Sequence, residues 1–487
     1  MNENLTPLTY AVRPKVVAKY LGQLMIMLAL LTLVPLAVAA LFTEWTAAAR
    51  LAAVIALLLA AGIPAARLAP PAQIQINEAL VVVAGTFVTA AVLLAYPLAE
   101  RGLPFQDAFF EAVSAVTTTG LSTVGHLKEH SHTFLFLRAW MQWFGGLGIA
   151  VLSVALLMSH HVAARRLTEP VSGENLVTTS RTYARRIVAV YLVMTVVAVA
   201  ALRPFMPDTL TDVAYVLSAV STGGFSPSDT GLLSLNHWEA RYGVMAFALM
   251  GAMPLALYHS LFRRNWRQVT GDIEVQGLLA AVLTAVVLLS LFVPWPTGQA
   301  WTSTLAHTVI TAVSAQTTTG FSTVDVPALD ASSKGVLILS MFTGGSVGST
   351  AGGVKMLRLL ILLRLLQLTV RRTALAGHAV VTPRLAGKTL EDEDIIRTLL
   401  LILSFVVVVL LSWLAFLAYG YDPLNSLFEV VSATDTVGLS AGITRADLQP
   451  LLKMVLCADM LLGRLEIIAL LVVLYPKTWI GKRREST

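Results

Sequence analysis

Long apolar runs recur along the whole of this 487-residue chain and decide the solvent in which it folds. Each run holds about 18 or more residues, which is the length a helix needs to cross the roughly 30 Å hydrocarbon core of a bilayer. Only 13% of the residues are charged, whereas a soluble chain carries roughly 25%. The first run, residues 21–42, is too long for the apolar part of a signal peptide and predicts a retained transmembrane helix. The chain is therefore predicted to be an all-α integral membrane protein.

Four short segments of the sequence align with one another without a gap. Each begins with Ser-Ala, has Thr four residues after that Ser and Gly two residues after the Thr, and ends with Leu or Phe and then Ser. The glycines are 104, 96 and 118 residues apart, so the segments mark a unit that is repeated four times. The segments are residues 114–122, 218–226, 314–322 and 432–440.

The flanks of these segments repeat as well, because a long apolar run precedes and follows each one. Ten to twelve mostly apolar residues lead into each Ser-Ala, and as a helix they reach only about 15–18 Å, half of the bilayer. We therefore expect four pseudo-symmetric repeats of long helix, pore helix, filter loop and long helix around one pore, after two N-terminal transmembrane helices, about ten spans in all. The predicted units are residues 1–70 for the N-terminal helices and 71–170, 171–272, 273–390 and 391–487 for repeats 1 to 4.

Lysine and arginine are concentrated in the connections between the units. By the positive-inside rule, these connections and both termini are predicted to be cytoplasmic, and the four loops to enter the membrane from outside. The basic residues are Arg165, Arg166, Arg181, Arg185, Arg186, Arg263, Arg264, Arg267, Arg371, Arg372, Arg384, Lys388, Lys482, Arg483 and Arg484.

The residue types in the four loops indicate a cation filter. Pore helices that converge from one face place the negative ends of their dipoles at the centre. Glycine permits the backbone angles that turn successive carbonyl groups toward one axis, and rings of such oxygens replace the hydration shell of a potassium ion. No carboxylate ring occurs at matching positions, which argues against a filter for divalent cations. The predicted potassium-binding residues are Thr118, Thr119, Gly120, Thr222, Gly223, Gly224, Thr318, Thr319, Gly320, Thr436, Val437 and Gly438.

A glycine-rich segment in repeat 3 predicts a gate. Residues 343–353 hold five glycines in eleven residues, and each costs a helix interior about 1 kcal/mol, so an unwound loop beneath the filter is expected. Glycines occur 24 to 27 residues after every filter glycine. Arg464, near the middle of the last helix, should face the interior. At about 5 Å from the axis and an effective dielectric near 20, it would oppose a cation by roughly 3 kcal/mol. Alternatively, it pairs with Glu466 or Asp459. The predicted gating residues are Gly344, Gly345, Gly348, Gly352, Gly353, Lys355 and Arg464.

The four-unit layout resembles the Trk/Ktr/HKT superfamily of potassium transporters, and the two extra N-terminal helices make it most similar to the bacterial Trk-type membrane subunits. The resemblance implies potassium as substrate with no covalently bound cofactor, a gating loop at the glycine-rich segment, and a homodimer in the bacterial inner membrane. It also implies a cytoplasmic nucleotide-binding regulatory subunit of the TrkA type, which takes NAD or ATP/ADP. Two loops depart from the pattern: Asp435 takes a place that holds a hydroxyl residue in the other three, and Gly223 replaces the Thr before a filter glycine.

We expect a non-enzymatic protein that takes up potassium down its electrochemical gradient through a channel-like pore. A symporter that couples potassium to sodium or protons is the first alternative, since broken helices suit that mechanism too. A non-conducting membrane scaffold is the second alternative. The sequence leaves open the ratio of potassium to sodium, the regulatory ligand, the oligomeric state and the role of Asp435.

Overall fold

The computed structural model describes residues 11–69, 74–160, 176–262, 265–292, 301–374 and 382–480. Within these ranges the regular secondary structure is helical, apart from a two-stranded antiparallel hairpin, β1 (Arg384–Leu385) with β2 (Lys388–Thr389). The predicted all-α class is confirmed. In chain order the helices are α1 Pro14–Leu41, α2 Trp45–Ala66, α3 Ile76–Leu98, α4 Phe105–Val116, α5 His132–His160, α6 Leu176–Leu202, α7 Thr209–Val220, α8 Trp238–Ala252, α9 Leu257–Phe262, α10 Trp266–Thr270, α11 Ile273–Phe292, α12 Trp301–Gln316, α13 Ala331–Thr343, α14 Met356–Arg372, α15 Asp392–Ala418, α16 Pro423–Thr434, α17 Pro450–Arg464, α18 Ile468–Leu474 and α19 Pro476–Trp479.

The two N-terminal helices form a hairpin that packs on repeat 1. Gly22 of α1 and Gly62 of α2 meet where the helices cross, and a Cβ on Gly22 would lie 2.8 Å from the Gly62 carbonyl oxygen. Small residues of this kind let membrane helices approach closely. Helix α1 also contacts α3 and α5, the two long helices of repeat 1.

The four pore helices are α4, α7, α12 and α16, with 12, 12, 16 and 12 residues. Two of them begin at an aspartate cap. The Asp208 side chain accepts from the Thr211 N–H at 2.8 Å, and Asp422 precedes Pro423 and accepts from the Asn425 N–H at 2.9 Å. Helix α4 has no such cap, because the residue before it is Pro104 and Asp107 lies inside its first turn.

Seven helices of the described ranges are long and apolar enough to cross a membrane: both N-terminal helices, the first helix of every repeat and the second helix of repeat 1. The second helices of repeats 2, 3 and 4 are each interrupted, at residues 253–256, 344–355 and 465–467. Pro254 helps to cause the first interruption, because proline has no N–H to continue the helix. Of the three interruptions, only the one in repeat 3 is predicted from the sequence as an unwound loop. The seven continuous helices and the three interrupted helices of the described ranges together make the ten predicted spans.

The repeats form a closed ring. In all four, the second helix packs against the pore helix of the next repeat: α5 on α7, α8 on α12, α13 on α16, and α17 of repeat 4 back on α4 of repeat 1. Each pore helix is therefore held between its own repeat and the preceding one.

Buried lysines reinforce two of these junctions. Lys453 of α17 forms an ion pair of 2.5 Å with Asp107 of α4, and Lys334 of α13 donates to Oδ1 of Asn425 on α16 at 2.8 Å. Asp107 and Asn425 each lie thirteen residues before their filter glycine, so the two contacts are equivalent. Lys453, Lys334 and Asp107 are all nearly excluded from solvent.

Several of the basic residues from which the membrane orientation is predicted lie outside the described ranges. They are Arg165, Arg166, Arg263, Arg264, Lys482, Arg483 and Arg484. The cytoplasmic location of both termini and the boundaries of the five predicted units stay predictions.

Replacing Lys453 with Met should destabilise the ring. The change leaves the Asp107 carboxylate buried without its partner, and losing one member of a buried pair costs about 3–5 kcal/mol. We expect a lower thermal unfolding midpoint in detergent, with partial recovery in Asp107→Leu/Lys453→Met. Lys477→Met, at an exposed position, is the matched control. Equal midpoints for Lys453→Met and Lys477→Met would contradict the role given to this pair.

Candidate functional site: a ring of filter loops above a buried loop

The four filter loops share one unusual backbone conformation. The threonine two residues before each filter glycine has a positive φ, a region that few non-glycine residues adopt. The next N–H donates back to the carbonyl of the first Ser of the segment at 2.7–2.9 Å. Because the C=O of a planar peptide points opposite to its N–H, the carbonyl of each threonine points away from its pore helix. The φ values are 55° at Thr118, 52° at Thr222, 53° at Thr318 and 51° at Thr436.

The filter glycines bring the four loops together. Each has a positive φ between 78° and 96°. A Cβ on any of them would collide with the carbonyl oxygen of the residue that precedes the filter glycine in the next repeat. The pairs are Gly120 with Gly223, Gly224 with Thr319, Gly320 with Val437, and Gly438 with Thr119. The twelve predicted filter residues therefore lie in one closed ring of four loops.

Hydroxyl groups brace the loops of repeats 1 and 3 from within. The side-chain oxygens of Thr117 and Thr119 lie 2.8 Å apart, and those of Thr317 and Thr319 lie 2.7 Å apart. All four residues are fully buried. Each pair ties the end of the pore helix to the residue before the filter glycine.

Repeat 2 replaces this pair with a side chain from repeat 1. Nε2 of Gln142, on α5, donates to the Gly223 carbonyl at 2.5 Å, and its Oε1 accepts from the Phe225 N–H at 3.1 Å. A Cβ on Gly223 would collide with the Gln142 amide. Gly223 departs from the threonine of repeats 1 and 3 because Gln142 occupies the space that a side chain would need.

Repeat 4 has neither arrangement. Val437 has no hydroxyl group, and Asp435 stands at the position of Thr117 and Thr317. Asp435 is fully buried, and neither of its carboxylate oxygens has a hydrogen-bond partner among the described residues.

The outer limbs of the filter hairpins are held by a position that sequence reasoning missed. The residue nine before the filter glycine bonds the serine two after it in three repeats: Glu111 to Ser122 at 2.6 Å, Tyr215 to Ser226 at 2.8 Å, and Glu429 to Ser440 at 2.5 Å. In repeat 3, Thr311 and Ser322 bond to nearby carbonyls instead. Extending the fourfold alignment outward by a few residues would have found this position.

Arg138 joins the first two of these limbs. It lies on α5, forms an ion pair of 2.9 Å with Glu111, and its guanidinium is 3.9 Å from the centre of the Phe225 ring in repeat 2. Since all three are buried, this contact links repeats 1 and 2 around the outer side of the filter.

The predicted gating segment is an unwound loop, residues 344–355, directly against the filter loops. The Gly352 N–H donates to Oγ1 of Thr318 at 2.7 Å, and the Gly353 N–H donates to the Asp435 carbonyl at 3.1 Å. The Thr350 hydroxyl accepts from that of Thr222 at 3.3 Å. This segment, called the gating loop from here on, therefore contacts the filter loops of repeats 2, 3 and 4.

The interruption of repeat 2 supplies partners for the gating loop. The backbone groups that α8 leaves unpaired at its end bond to the loop instead, as buried polar groups must in a membrane. The bonds are Ser346 N–H to Ala252 carbonyl at 3.0 Å, Thr350 N–H to Gly251 carbonyl at 3.1 Å, and Leu255 N–H to Gly348 carbonyl at 3.1 Å.

Arg464 is bound to the gating loop. It is buried, and its Nη1 donates to the Thr350 carbonyl at 2.8 Å. The alternative pairings are not found: Glu466 pairs with Arg358 at 2.6 Å, and Asp459 accepts from a serine hydroxyl. The guanidinium atoms Nε and Nη2 of Arg464 have no partner among the described residues.

Two further charged groups hold the limbs of the gating loop. The Glu274 carboxylate, at the start of α11, accepts from the Val347 N–H at 2.7 Å. Lys355 is buried, has a φ of 82°, and its ammonium group donates to the Ala351 carbonyl. Lys355 therefore lies inside the protein and bonds within the loop itself.

The inner glycines of the other repeats serve packing. A Cβ on Gly145, Gly251 or Gly463 would collide with a carbonyl at the end of the pore helix of the same repeat, so these glycines let the second helix cross it closely. In repeat 3 the contact between the end of the pore helix and the second helix is a hydrogen bond, in which the Gln316 side chain donates to the Gly344 carbonyl at 2.8 Å. Helix α5 stays continuous through Gly145.

A family model described as TrkH, cation transport protein, matches residues 46–479. The chain belongs to the TrkH family of cation transport proteins. It is 29% identical to the Trk system potassium uptake protein TrkH of Salmonella typhimurium, over 77% of this chain and 80% of that protein. It is 30% identical to the Trk system potassium uptake protein TrkI of Halomonas elongata, over 77% and 78%. An uncharacterized cation transporter of Methanocaldococcus jannaschii is 28% identical over 85% and 86%.

The fold of this TrkH-family chain matches that of a solved structure. The crystal structure of the potassium transporter TrkH from Vibrio parahaemolyticus superimposes with a TM-score of 0.85 at 24% identity, over 96% of this chain and 100% of that one. The match confirms the fold of the four-repeat membrane protein that the sequence predicts.

Replacing Gly223 with Thr should destabilise the filter through Gln142. The new side chain collides with the Gln142 amide, and overpacking a rigid site costs about 1–3 kcal/mol. In a Gln142→Ala background the threonine has room to approach Ser221, as Thr119 approaches Thr117. We expect Gly223→Thr to lower the unfolding midpoint much less in that background, with a coupling of about 1 kcal/mol or more. Additive effects of the two substitutions would refute the explanation.

Proposed function

We propose that this TrkH-family chain takes up potassium ions across the bacterial inner membrane through a channel-like pore whose filter is the ring of four loops. One observation carries the proposal: each filter glycine adjoins a backbone carbonyl of the next repeat, so carbonyl groups of all four repeats meet in one closed ring. Two of the relatives reported above are named as potassium uptake proteins.

Potassium is the ion that suits such a ring. Rings of carbonyl oxygens replace the hydration shell of potassium, and the ends of four pore helices add negative potential at the same place. Backbone faces backbone where the loops meet, because a Cβ on each filter glycine would meet a carbonyl oxygen of the next repeat. The hydroxyl groups of Thr119 and Thr319 turn instead to Thr117 and Thr317 of their own repeats. A divalent cation would call for a ring of carboxylates, and the aligned positions of the four loops hold one aspartate.

The gating loop is the proposed barrier below the filter. Its backbone bonds to the filter loops of repeats 3 and 4 and to the interrupted helix of repeat 2, and its Thr350 hydroxyl bonds to the filter loop of repeat 2, so it lies directly against the ring. Arg464 fixes the loop through the Thr350 carbonyl and adds a buried positive charge. Opening the path requires these bonds to break or to move together.

The homodimer and the nucleotide-binding regulatory subunit are proposals that follow from the family resemblance. Light scattering of the purified protein in detergent tests the homodimer. Co-expression of a TrkA-type subunit with and without this chain, followed by affinity purification, tests the regulatory subunit.

Rubidium flux into proteoliposomes tests the function itself. We expect the wild-type protein to carry labelled rubidium, and potassium to compete with it far better than sodium. Gly320→Ala should reduce the flux or the discrimination at least about tenfold, since its Cβ meets the Val437 carbonyl and its φ of 80° disfavours a side chain. Gly335→Ala, on the second helix of the same repeat, meets no atom within 4 Å and is the matched control.

Two outcomes of this experiment would overturn the proposal. Flux that stops when sodium and proton gradients are clamped would make the protein a coupled symporter. Wild-type protein without any ion-specific flux, together with failure to restore growth of a potassium-uptake-deficient cell at low potassium, would leave a non-conducting membrane protein.

Removing the charge of Arg464 should raise the flux. Arg464→Ala removes both the bond to Thr350 and the repulsion, which is worth up to roughly 3 kcal/mol, or about a hundredfold in rate. Arg464→Gln keeps a donor for the Thr350 carbonyl and removes only the charge. If electrostatic repulsion dominates, both variants conduct faster; if the bond dominates, only Arg464→Ala does. Unchanged or lower rubidium flux in both variants would contradict the gating role.

A further inference from the structure

Two neighbouring residues in the interruption of repeat 4 have backbone angles that residues with side chains rarely adopt. Glu466 has a φ of 56° and Ile467 has a φ of 57°. A positive φ is uncommon for any residue other than glycine, and for a β-branched residue such as isoleucine it is an outlier. The surrounding structure therefore holds the interruption between α17 and α18 in a strained conformation.

The hydrogen bonds at the end of α17 form a helix ending that usually contains glycine. The Glu466 N–H donates to the Gly463 carbonyl at 3.3 Å, and the Ile467 N–H donates to the Leu462 carbonyl at 2.7 Å. In this ending the residue with the positive φ is most often glycine, because glycine has no Cβ. Glu466 takes that place here, so a contact of its side chain must offset the strain.

Arg358 supplies that contact. It lies in the first turn of α14, directly after the gating loop, and its Nη2 atom is 2.6 Å from Oε2 of Glu466. Its Nη1 atom donates to the carbonyl of Val354, a residue of the gating loop, at 3.1 Å. Because the guanidinium group is a rigid fork of donors, this one side chain joins the end of the gating loop to the strained residue of repeat 4.

Ile467 makes a second contact between the two segments. Its side chain is buried in one apolar cluster with Val354 of the gating loop and Phe405 of α15. Arg464, three residues earlier, donates to the Thr350 carbonyl of the same loop. The second helix of repeat 4 therefore contacts both the middle and the end of the gating loop.

We propose that the interruption of repeat 4 is a hinge of the gate and that Arg358 and Glu466 form its latch. While the pair is intact, the gating loop stays against the filter loops and residues 465–467 stay strained. When the loop moves away, Val354 and Arg358 move with it, and the released residues take helical angles that join α17 to α18. This inference rests on the proposed potassium pathway and gives a positioning role to two residues outside the filter.

The latch has a definite effect on transport. It acts on the equilibrium between closed and open forms and leaves the filter unchanged. We expect Arg358→Gln and Glu466→Gln each to raise the maximal rubidium flux about five- to tenfold, because each removes a charge-assisted hydrogen bond of the closed form. The KM for rubidium and the discrimination against sodium should stay at their wild-type values.

Rubidium flux into proteoliposomes tests the latch in the two single variants and in the double variant. Because Arg358→Gln already breaks the pair, adding Glu466→Gln to it should raise the flux no further. Arg372→Gln and Glu393→Gln, at exposed positions of α14 and α15, are the matched controls and should conduct as the wild-type protein does. Unchanged or lower maximal flux in both single variants would refute the latch.

Two substitutions of Ile467 test the hinge itself. Ile467→Ala and Ile467→Gly both remove the packing against the gating loop, so they differ in backbone preference. Glycine adopts a positive φ readily and is poorer than alanine inside a helix, and it therefore favours the interrupted form. We expect Ile467→Gly to conduct about two- to fivefold more slowly than Ile467→Ala. Equal flux in the two variants, or faster flux with glycine, would refute the hinge.

Hydrogen exchange gives a readout of the latch that does not need flux. Backbone N–H groups of the gating loop donate to the filter loops and to α13, so they exchange slowly while the loop stays in place. In Arg358→Gln, peptides that cover residues 344–355 should exchange faster than in the wild-type protein. Arg372→Gln should leave their exchange unchanged.

The results separate this inference from the function it rests on. Absence of ion-specific flux in the wild-type protein, with faster exchange of the gating loop in Arg358→Gln, would refute the potassium pathway and support the latch. Ion-specific flux that neither single variant raises, together with unchanged exchange of the gating loop, would refute the latch alone.

Discussion

The filter glycines touch the carbonyl groups of the neighbouring repeat, and this contact limits what the rest of the molecule can do. No side chains lie between the four loops where they close the ring. The loops themselves therefore do not fix the distance between them. The surrounding structure therefore supplies the restraint: each second helix packs on the next pore helix, and buried contacts such as the Lys453–Asp107 ion pair and the stacking of Arg138 on Phe225 span the junctions. A buried ion pair is costly, and the Lys453–Asp107 pair lies where repeat 4 meets repeat 1 and closes the ring.

The interrupted helices follow from the same constraint. An unwound segment in the membrane needs partners for its backbone, and the gating loop finds them in the interrupted helix of repeat 2 and in the filter loops. Gly251 and Ala252 at the end of α8 accept from the loop, and Thr318 of the filter accepts from Gly352. The filter loops and the gating loop are thus joined by hydrogen bonds, so a change in the position of one directly affects the other.

The sequence predicted what depends on length and repetition: the membrane class, the four-repeat layout, the pore helices and the unwound loop of repeat 3. The potassium-binding role of the filter residues stays a prediction. It missed what depends on contacts between repeats. Nothing local marks Gln142 as the reason for Gly223, or the break after Ala252 as a partner of the gating loop. The alternative pairing of Arg464 with Glu466 or Asp459 involves residues close to it in sequence, whereas the partner in the structure, the Thr350 carbonyl, comes from another repeat.

The four repeats differ in how the end of the pore helix is joined to the residue before the filter glycine. Repeats 1 and 3 use two hydroxyl groups, and repeat 2 borrows Gln142 from its neighbour. Repeat 4 has neither arrangement: Val437 has no hydroxyl group, and the Asp435 carboxylate has no hydrogen-bond partner among the described residues. Its loop is bonded to the gating loop instead, because the Gly353 N–H donates to the Asp435 carbonyl at 3.1 Å. The repeat without a side-chain brace of its own therefore depends on that contact for its position.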